Sequence, residues 1–135
     1  MQTLLGFDFG KKRTGVAVGQ GVTGTATALC TLTARQGAPD WNGISGLVDE
    51  WKPDALVVGL PRHADGTDAD ITRAARKFAQ QLEARYRLPV HLIDERLSSQ
   101  AATALQQRDS RQSKAGLDAI AARIILQDWL DTKLK

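Results

Sequence analysis

The sequence predicts an α/β fold built on a mixed five-stranded sheet, three antiparallel strands then two parallel, flanked by helices. Two observations predict it. The first quarter of the chain contains three alternating, β-prone segments separated by short turns, which is typical of an antiparallel meander. The rest of the chain alternates short apolar segments with longer segments of helical periodicity, which is typical of parallel strands joined by helices.

The N-terminal segments predict the meander strand by strand. Residues 2–8 predict the first strand, and "GKKRT" predicts the turn after it. Residues 14–20 predict the second strand, with Val16 and Val18 on one face. Because the connection between the two strands is so short, they should form a hairpin. The threonine-rich, alternating segment 25–33 predicts the third strand.

Helix and strand segments alternate through the remainder of the chain. Apolar residues recur at helical spacing from Trp41 to Trp51, and Pro53 ends this helix. The short apolar run 55–61 predicts a buried parallel strand. The amphipathic pattern over 68–86 predicts the second helix. The remaining predicted elements are a strand at 90–94, a helix from Ser98 or Ser99 to about Gln107, a basic loop at 108–114 and a closing helix from about Ala115 to Leu130.

Length and composition favour one globular domain spanning residues 1–135. No apolar run is long enough to span a bilayer, and "MQTLLGFDFG" lacks a signal-peptide pattern, so we expect a cytoplasmic protein without membrane association. The single cysteine, Cys30, cannot close an intramolecular disulfide, and it is expected to be a small interior residue. With only two histidines beside it, a Cys/His zinc site is excluded, so any metal must be held mainly by oxygen ligands.

One carboxylate stands inside the first predicted strand. Asp8 follows an apolar run, and an ionised carboxylate in apolar surroundings is costly unless it is paired, hydrogen-bonded or bound to a metal. Asp8 therefore needs a partner. The structural alternative is that it caps the strand and accepts hydrogen bonds from backbone amides of the turn that begins at Gly10.

Two further carboxylates follow the last predicted strand. Asp94 and Glu95 stand at its C-terminal end, where ligands bind in open α/β sheets. Because side chains alternate along a strand, at most one of the two faces the same side as Asp8 unless the strand bulges. A helix N-cap or a salt bridge with Arg96 is the structural alternative for each, and the residues alone leave the choice between them open.

A fourth carboxylate lies on the apolar stripe of the closing helix. Its helical spacing predicts that Asp118 shares this stripe with Ala121, Ala122, Ile125 and Trp129. The two alanines would let the helix approach the sheet closely and bring the carboxylate toward the strand ends. The structural alternative is that Asp118 occupies the first helical turn, where its charge complements the helix dipole.

Carboxylates that meet in one place repel one another unless a cation offsets their charge. Mg²⁺ or Mn²⁺ suits oxygen ligands, and two such ions about 4 Å apart would activate a water and stabilise the leaving oxygen of a phosphodiester. The basic run Lys11, Lys12 and Arg13 would then meet the phosphate backbone. A net charge of +3 also favours a polyanionic partner, although weakly.

Four motifs together resemble the YqgF or RuvX family of the ribonuclease H-like superfamily. They are "FDFGKKRTGVAV", "VVGLP", "DERLSS" and "DAIAARIIL", and they occur in the family's order over nearly the whole chain. The resemblance implies an RNase H-like fold. It also implies that Asp8, Glu95 and Asp118 form the metal-binding catalytic set. The basic residues that it places near such a site are Arg13, Arg96 and Lys114.

Members of that family are described either as Holliday junction resolvases or as nucleases that mature the 5′ end of the 16S rRNA precursor. The leading hypothesis is therefore a metal-dependent endonuclease acting on precursor rRNA, with ribosomal particles as possible partners and a monomer or weak dimer as the active form. Resolution of branched DNA is the close alternative. A non-catalytic nucleic-acid or ribosome-binding module is the second, although aromatics at 5% make a base-stacking platform hard to build.

Overall fold

The computed structural model describes residues 3–10, 12–21, 23–34, 38–60, 70–94 and 117–133, and residues 94, 117, 118 and 133 are described by their backbone alone. The described elements are β1 (Thr3–Phe9), β2 (Arg13–Gln20), β3 (Thr25–Thr33), α1 (Trp41–Trp51), β4 (Ala55–Leu60), α2 (Asp70–Tyr86), β5 (Val90–Asp94) and α3 (Leu117–Lys133).

The five strands form one sheet in the order β3-β2-β1-β4-β5. β2 is antiparallel to both β1 and β3, whereas β4 is parallel to both β1 and β5. The predicted mixed sheet is therefore confirmed. Because β1, β4 and β5 run in the same direction, their C-terminal ends meet along one side of the sheet, which we call the C-terminal edge. The opposite side is the N-terminal edge.

The predicted elements that fall on described residues are all present. Most of their ends agree within a residue or two, and the closing helix continues to Lys133 instead of ending near Leu130. Val16 and Val18 share one buried cluster, as their alternation predicts. The predicted helix from Ser98 or Ser99 and the basic loop at 108–114 lie outside the described residues.

One face of the sheet, the α3 face, is covered by α3 and is built from small residues. A Cβ placed on Gly6 would lie 2.8 Å from the Cβ of Leu126, and a Cβ on Gly19 would lie 2.9 Å from methyl groups of Leu126 and Leu130. The helix therefore rests almost directly on the strand backbone. The buried residues of this face are Leu4, Ala17, Ala26, Ala55, Val57, Ala122, Ile125, Leu126, Trp129 and Leu130.

The other face, the aromatic face, is covered by α1 and α2 and is built from large residues. The ring of Phe78 contacts the rings of Phe7, Phe9 and Trp41, with centroids 5.7, 4.9 and 5.6 Å away. Aromatic contacts of this kind bury large areas and contribute beyond that burial. The other buried residues of this face are Leu5, Val16, Val18, Ile44, Leu56, Val58, Ala79 and Leu82.

Local hydrogen bonds set where α1 begins and how α3 is attached. The Asp40 side chain accepts a hydrogen bond from the Gly43 amide, 3.1 Å away, and caps α1. The Gln127 amide accepts from the Ala26 backbone N–H and donates to the Gly24 carbonyl, so it ties α3 to the β2–β3 turn. None of the helices in the described ranges is long and apolar enough to cross a membrane.

Candidate active site

Asp8 stands on the α3 face at the C-terminal edge. Along β1 the residues alternate, so Phe7 and Phe9 pack into the aromatic face while Leu4 and Gly6 lie under α3. Asp8 continues the second set. Its side chain is half-buried, which is the exposure expected of a carboxylate that is held in place by the fold yet reachable from solvent.

The N-terminal end of α3 lies at the same edge as Asp8. Gly19 lies opposite the start of β1, and a Cβ there would meet Leu126 and Leu130. Gly6, further along β1, comes close to Leu126 and Ala122 instead. Moving along β1 toward its C-terminal end therefore means moving toward the first turn of α3.

The same register puts the backbones of Asp118 and Asp8 toward the same end of the sheet. Asp8 lies two residues beyond Gly6, about 6.6 Å along a strand. Asp118 lies four residues before Ala122, about 6 Å along a helix and in the opposite chain direction. Asp8 and Asp118 therefore lie at about the same distance from the contact between Gly6 and α3, both on its C-terminal-edge side. The predicted stripe is confirmed at Ala122, Ile125 and Trp129, which are buried, whereas Ala121 is half-buried.

The end of β5 reaches this edge two strands away from β1. Ile93 packs against the α3 face, and the His91 ring stacks on Trp129 with centroids 4.8 Å apart. Asp94 is the last residue of the strand and pairs with Leu60 of β4. Every other residue of β5, beginning with His91, therefore belongs to the α3 face.

Glycines flank Asp8 on both neighbouring strands. Gly15 of β2 lies directly opposite it in the antiparallel pair. On β4, Val58 pairs with Phe7, the residue before Asp8. The same register therefore puts Gly59 beside Asp8. Neither neighbour carries a side chain beside the carboxylate, which leaves space around it. Sequence reasoning missed this feature, although the glycines of "TGVAV" and "VVGLP" were visible in the motifs.

Basic residues follow Asp8 at the β1–β2 turn. Lys12 and Arg13 are exposed, and the Lys12 carbonyl accepts a hydrogen bond from the Ala34 amide, 2.8 Å away. Arg13 alternates with Gly15 and Ala17, and Ala17 belongs to the α3-face core. Arg13 is therefore on the face of Asp8 and at the same edge. Lys11 lies outside the described residues, as do Arg96 and Lys114.

Of the predicted metal ligands, Asp8 is the one whose side chain the structure describes. Its half-buried carboxylate and its glycine neighbours suit Mg²⁺ or Mn²⁺, which take oxygen ligands and keep several waters. Within the described ranges no three carboxylate, imidazole or thiol side chains meet. Glu95 and the side chain of Asp118 lie outside those ranges, so the three-carboxylate set stays a prediction.

Cys30 lies on the opposite face of the sheet from Asp8 and behaves as an interior residue. It is half-buried on β3 and packs against the aromatic face. Burial raises the pKa of the Cys30 thiol above its ordinary value, and the nearby Glu50 carboxylate raises it further. A thiol that stays protonated is a poor nucleophile. The prediction that Cys30 is an interior residue agrees with this environment.

A groove of about 450 Å³ lies on the aromatic face near the N-terminal edge. The buried indole N–H of Trp51, at its wall, has no hydrogen-bond partner in the described part of the chain. This groove is on the opposite face and at the opposite edge from Asp8, so it does not belong to the candidate active site. It is lined by Val18, Gln20, Thr23, Thr25, Thr27, Leu29 and Trp51.

Comparison with known proteins agrees with this geometry. The model of the family described as "RuvX: Holliday junction resolvase" matches residues 2–132. The chain belongs to the RuvX family. Two relatives in this family carry the name "Putative pre-16S rRNA nuclease". The one from Pseudomonas fluorescens (strain SBW25) is 49% identical over 136 residues, covering 97% of this chain and 93% of the relative. The one from Pseudomonas putida is 49% identical over 140 residues, covering 97% and 96%.

Solved structures share the fold of this RuvX-family chain. Thermus thermophilus RuvC, solved in complex with a Holliday junction substrate, matches with a TM-score of 0.59 and 16% identity, covering 99% of this chain and 96% of that one. The Fowlpox virus resolvase, solved with Holliday junction DNA, matches with a TM-score of 0.60 and 13% identity, covering 98% and 99%. The fold is therefore RNase H-like, as the sequence resemblance implied.

Proposed function

We propose that this RuvX-family protein is a metal-dependent endonuclease that cleaves phosphodiester bonds in structured RNA, and that its substrate is the 5′ end of the 16S rRNA precursor. The observation that carries the proposal is the convergence of Asp8 and the first turn of α3 at one edge of the sheet. The choice of RNA is supported by the names of relatives that are about half identical over nearly the full chain.

Three carboxylates would hold the metal in this proposal: Asp8, Glu95 and Asp118. They would bind Mg²⁺ or Mn²⁺, and two ions fit the chemistry best. Such ions, when bound, supply a Lewis acid for the phosphate charge and lower the pKa of an attacking water. The protein's part is to supply the negative charge and the space. Asp8 contributes a carboxylate on a rigid central strand, and Gly15 and Gly59 leave the volume beside it open.

Glu95 is a better candidate ligand than Asp94 because of the period of two along β5. His91 and Ile93 belong to the α3 face, which is the face of Asp8. If the alternation continues for one more step, Glu95 joins that face. Asp94 falls on the other set of the alternation.

The basic residues would bind the phosphate backbone on either side of the cleaved bond. Lys12 and Arg13 are exposed beside Asp8, and positive charge there attracts a polyanion independently of its sequence. Lys11, Arg96 and Lys114 are proposed to join them. We further propose that residues 1–135 act as one domain, as a monomer or weak dimer, on ribosomal particles in the cytoplasm.

The decisive experiment is the Asp8→Asn substitution, which keeps the size of the side chain and removes its charge. Losing one metal ligand should lower kcat on a precursor rRNA fragment by about a thousandfold, because metal stabilisation of the transition state is worth several kcal/mol. Cleavage would be measured in Mg²⁺ and in Mn²⁺. Asp49→Asn, which removes an exposed carboxylate from α1, is the matched control and should cut normally. Unimpaired cleavage by Asp8→Asn would overturn the assignment.

A second comparison decides between the two carboxylates at the end of β5. Glu95→Gln should weaken Mn²⁺ binding by about ten- to a hundredfold, whereas Asp94→Asn should leave it near the wild-type value. Titration calorimetry with Mn²⁺ alone measures this without any cleavage. The reverse pattern would mean that the chain bulges between β5 and Glu95, so that Asp94 becomes the ligand.

Holliday junction resolution is the second candidate, because the matching family model carries that description. Both substrates present the same phosphodiester to the site, so the choice depends on substrate shape alone. Purified protein would be offered a four-way DNA junction and the precursor rRNA at equal concentration. Preferential cutting of the junction favours the resolvase, whereas binding of either substrate without cleavage in any metal favours a non-catalytic module.

A further inference from the structure

The first half of α2 lies at the C-terminal edge, beside the candidate active site but on the other face of the sheet. α2 follows β4, whose C-terminal end is at this edge, and it leads back to the start of β5. In its third turn, Phe78 covers the Phe9 ring, which is next to Asp8 in the chain. Residues before Phe78 on α2 therefore lie level with Asp8 or beyond it.

Exposed positive charge is concentrated on this half of the helix. Arg73 and Lys77 are both exposed and lie one turn apart, so they project from the same side at about 6 Å spacing along the axis. Arg73 also bonds to the exposed Asp70 carboxylate, an ion pair of small energetic value at the surface. Arg76 adds a third cation on the same turn, half-buried and already engaged with another group.

Among the described residues at the N-terminal edge, acids outnumber cations. Asp54 lies there beside the start of β1, and its carboxylate accepts a hydrogen bond from the Thr3 amide. Asp128 and Asp131 lie there on the last turns of α3. Asp49 and Glu50 at the end of α1 and Glu83 at the end of α2 add exposed acids, and the cations Lys52, Arg85 and Arg87 only partly balance the set. Among the described residues, the protein is thus more basic at the edge that holds Asp8 and more acidic at the far edge.

We propose that Arg73 and Lys77 bind backbone phosphates of the substrate at a distance from the cleaved bond, as a second anchoring surface across the edge from Lys12 and Arg13. α2 covers the face opposite Asp8, so these two residues cannot reach the reacting phosphate while Asp8 holds it. A duplex that crosses the edge can contact both groups of cations. The inference rests on the proposed function, because it assumes that the substrate is a nucleic acid bound at this edge.

The test is the double variant Arg73→Gln with Lys77→Gln. Binding to an RNA duplex that contains the cleavage site is measured in chelator over a range of salt concentrations. Each lost phosphate contact lowers the salt slope, log K against log salt, by about 0.9. We therefore expect the slope to fall by about 1 to 2 and KM to rise about tenfold, with kcat at saturating substrate unchanged. Lys77→Gln alone should give about half of the change in slope.

The matched control removes two cations from the far edge, as Lys52→Asn with Arg87→Asn. Both residues have positive φ, a conformation that Asn tolerates. This control should bind and cut like the wild type. An unchanged salt slope in the Arg73/Lys77 variant, or an equal loss of slope in the Lys52/Arg87 control, overturns the inference. If the wild type still cleaves RNA in that case, the proposed function stands. A wild type that neither binds nor cuts nucleic acid removes the proposed function itself.

Discussion

The two faces of the sheet are built in opposite ways. The aromatic face carries Phe7, Phe9 and Trp41, each in ring contact with Phe78, under two helices. The α3 face carries alanines and glycines under one helix, and at Gly6 that helix approaches within contact distance of where a Cβ would stand. Large side chains separate a helix from the sheet, whereas small ones let it approach.

The aromatic face therefore contributes mainly to stability, whereas the α3 face contributes mainly to the geometry of the proposed site. The aromatic face buries the larger side chains, and burial of that kind is the main stabilising term in a small domain. The α3 face gains less from each residue, yet its close approach holds the first turn of α3 next to the strand that carries Asp8. A bulkier α3 face would move the helix away from the sheet and separate the acidic positions that the proposed site needs.

Removing the central ring of the aromatic face should have the largest effect on folding. Phe78→Ala deletes a fully buried ring with three aromatic neighbours, and such substitutions cost about 3–5 kcal/mol. Urea denaturation followed by circular dichroism would measure the loss. A cost below about 1 kcal/mol would show that this face does not carry most of the stability, and the comparison between the two faces would then be wrong.

Adding one methyl group to the α3 face should cost less, yet the cost should depend on what the methyl meets. In Gly6→Ala it meets the Cβ of Leu126, which cannot move without the helix, so we expect a loss of about 2 kcal/mol. In Gly19→Ala it meets the flexible ends of Leu126 and Leu130, so the loss should be smaller. Equal losses of unfolding free energy for Gly6→Ala and Gly19→Ala in the same urea experiment would mean that the close contact between α3 and β1 at Gly6 is not required.

Gly6→Ala should also affect the proposed site, because moving α3 moves the position of Asp118. Weaker Mn²⁺ binding by the folded Gly6→Ala variant, with Gly19→Ala near the wild-type value, would sharpen the link between close packing and the site. Folding of both variants is checked by their near-UV circular dichroism.

A carboxylate at the far end of α3 should have the smallest effect. Burial raises the pKa of Asp128 above its ordinary value, and the neighbouring Asp131 raises it further. The native state thus holds the proton more tightly than the unfolded state, so Asp128 lowers stability as the pH rises through its native pKa. Asp128→Asn should therefore stabilise the protein at neutral pH, by no more than about 0.5 kcal/mol because the carboxylate is only half-buried and is screened by solvent.

The sign of that effect gives its own check. The gain from Asp128→Asn should shrink as the pH falls from about 7 toward about 3, which is below the ordinary Asp pKa, so that both states protonate Asp128. Thermal unfolding of both proteins across this range measures it. A stability gain that grows as the pH falls would contradict the raised pKa of Asp128.

Much of the fold could be predicted because its signals are local. The alternation in 25–33, the helical spacing from Trp41 to Trp51 and the apolar run before Pro61 each depend on neighbouring residues alone. Predicting which strands run antiparallel and which run parallel needed a further rule. Short turns join antiparallel strands, whereas helical connections join parallel ones. The exact end of α3 was less predictable, because its last turn has no glycine or proline to stop it.

The candidate site was only partly predictable. Asp8 stood out because a carboxylate in a strand needs a partner, and the motifs of the RuvX family point to the same residue. The glycines beside Asp8 were not identified, because Gly15 and Gly59 lie far apart in the chain and become its neighbours only through strand pairing. Nor could the cations of α2 be related to Asp8, since their position depends on how Phe78 packs on Phe9.

The amino-acid sequence by itself determined which segments become strands and helices, which residues are apolar enough to be buried, and which carboxylates are out of place in apolar surroundings. Only the tertiary structure decided which of those residues share an edge. Local structure follows from the periodicity of neighbouring side chains, whereas the register of β1 against α3 depends on contacts between residues more than a hundred positions apart. The contact of Gly6 with Leu126 is one of them, and it places the start of α3 at the end of the sheet where Asp8 stands.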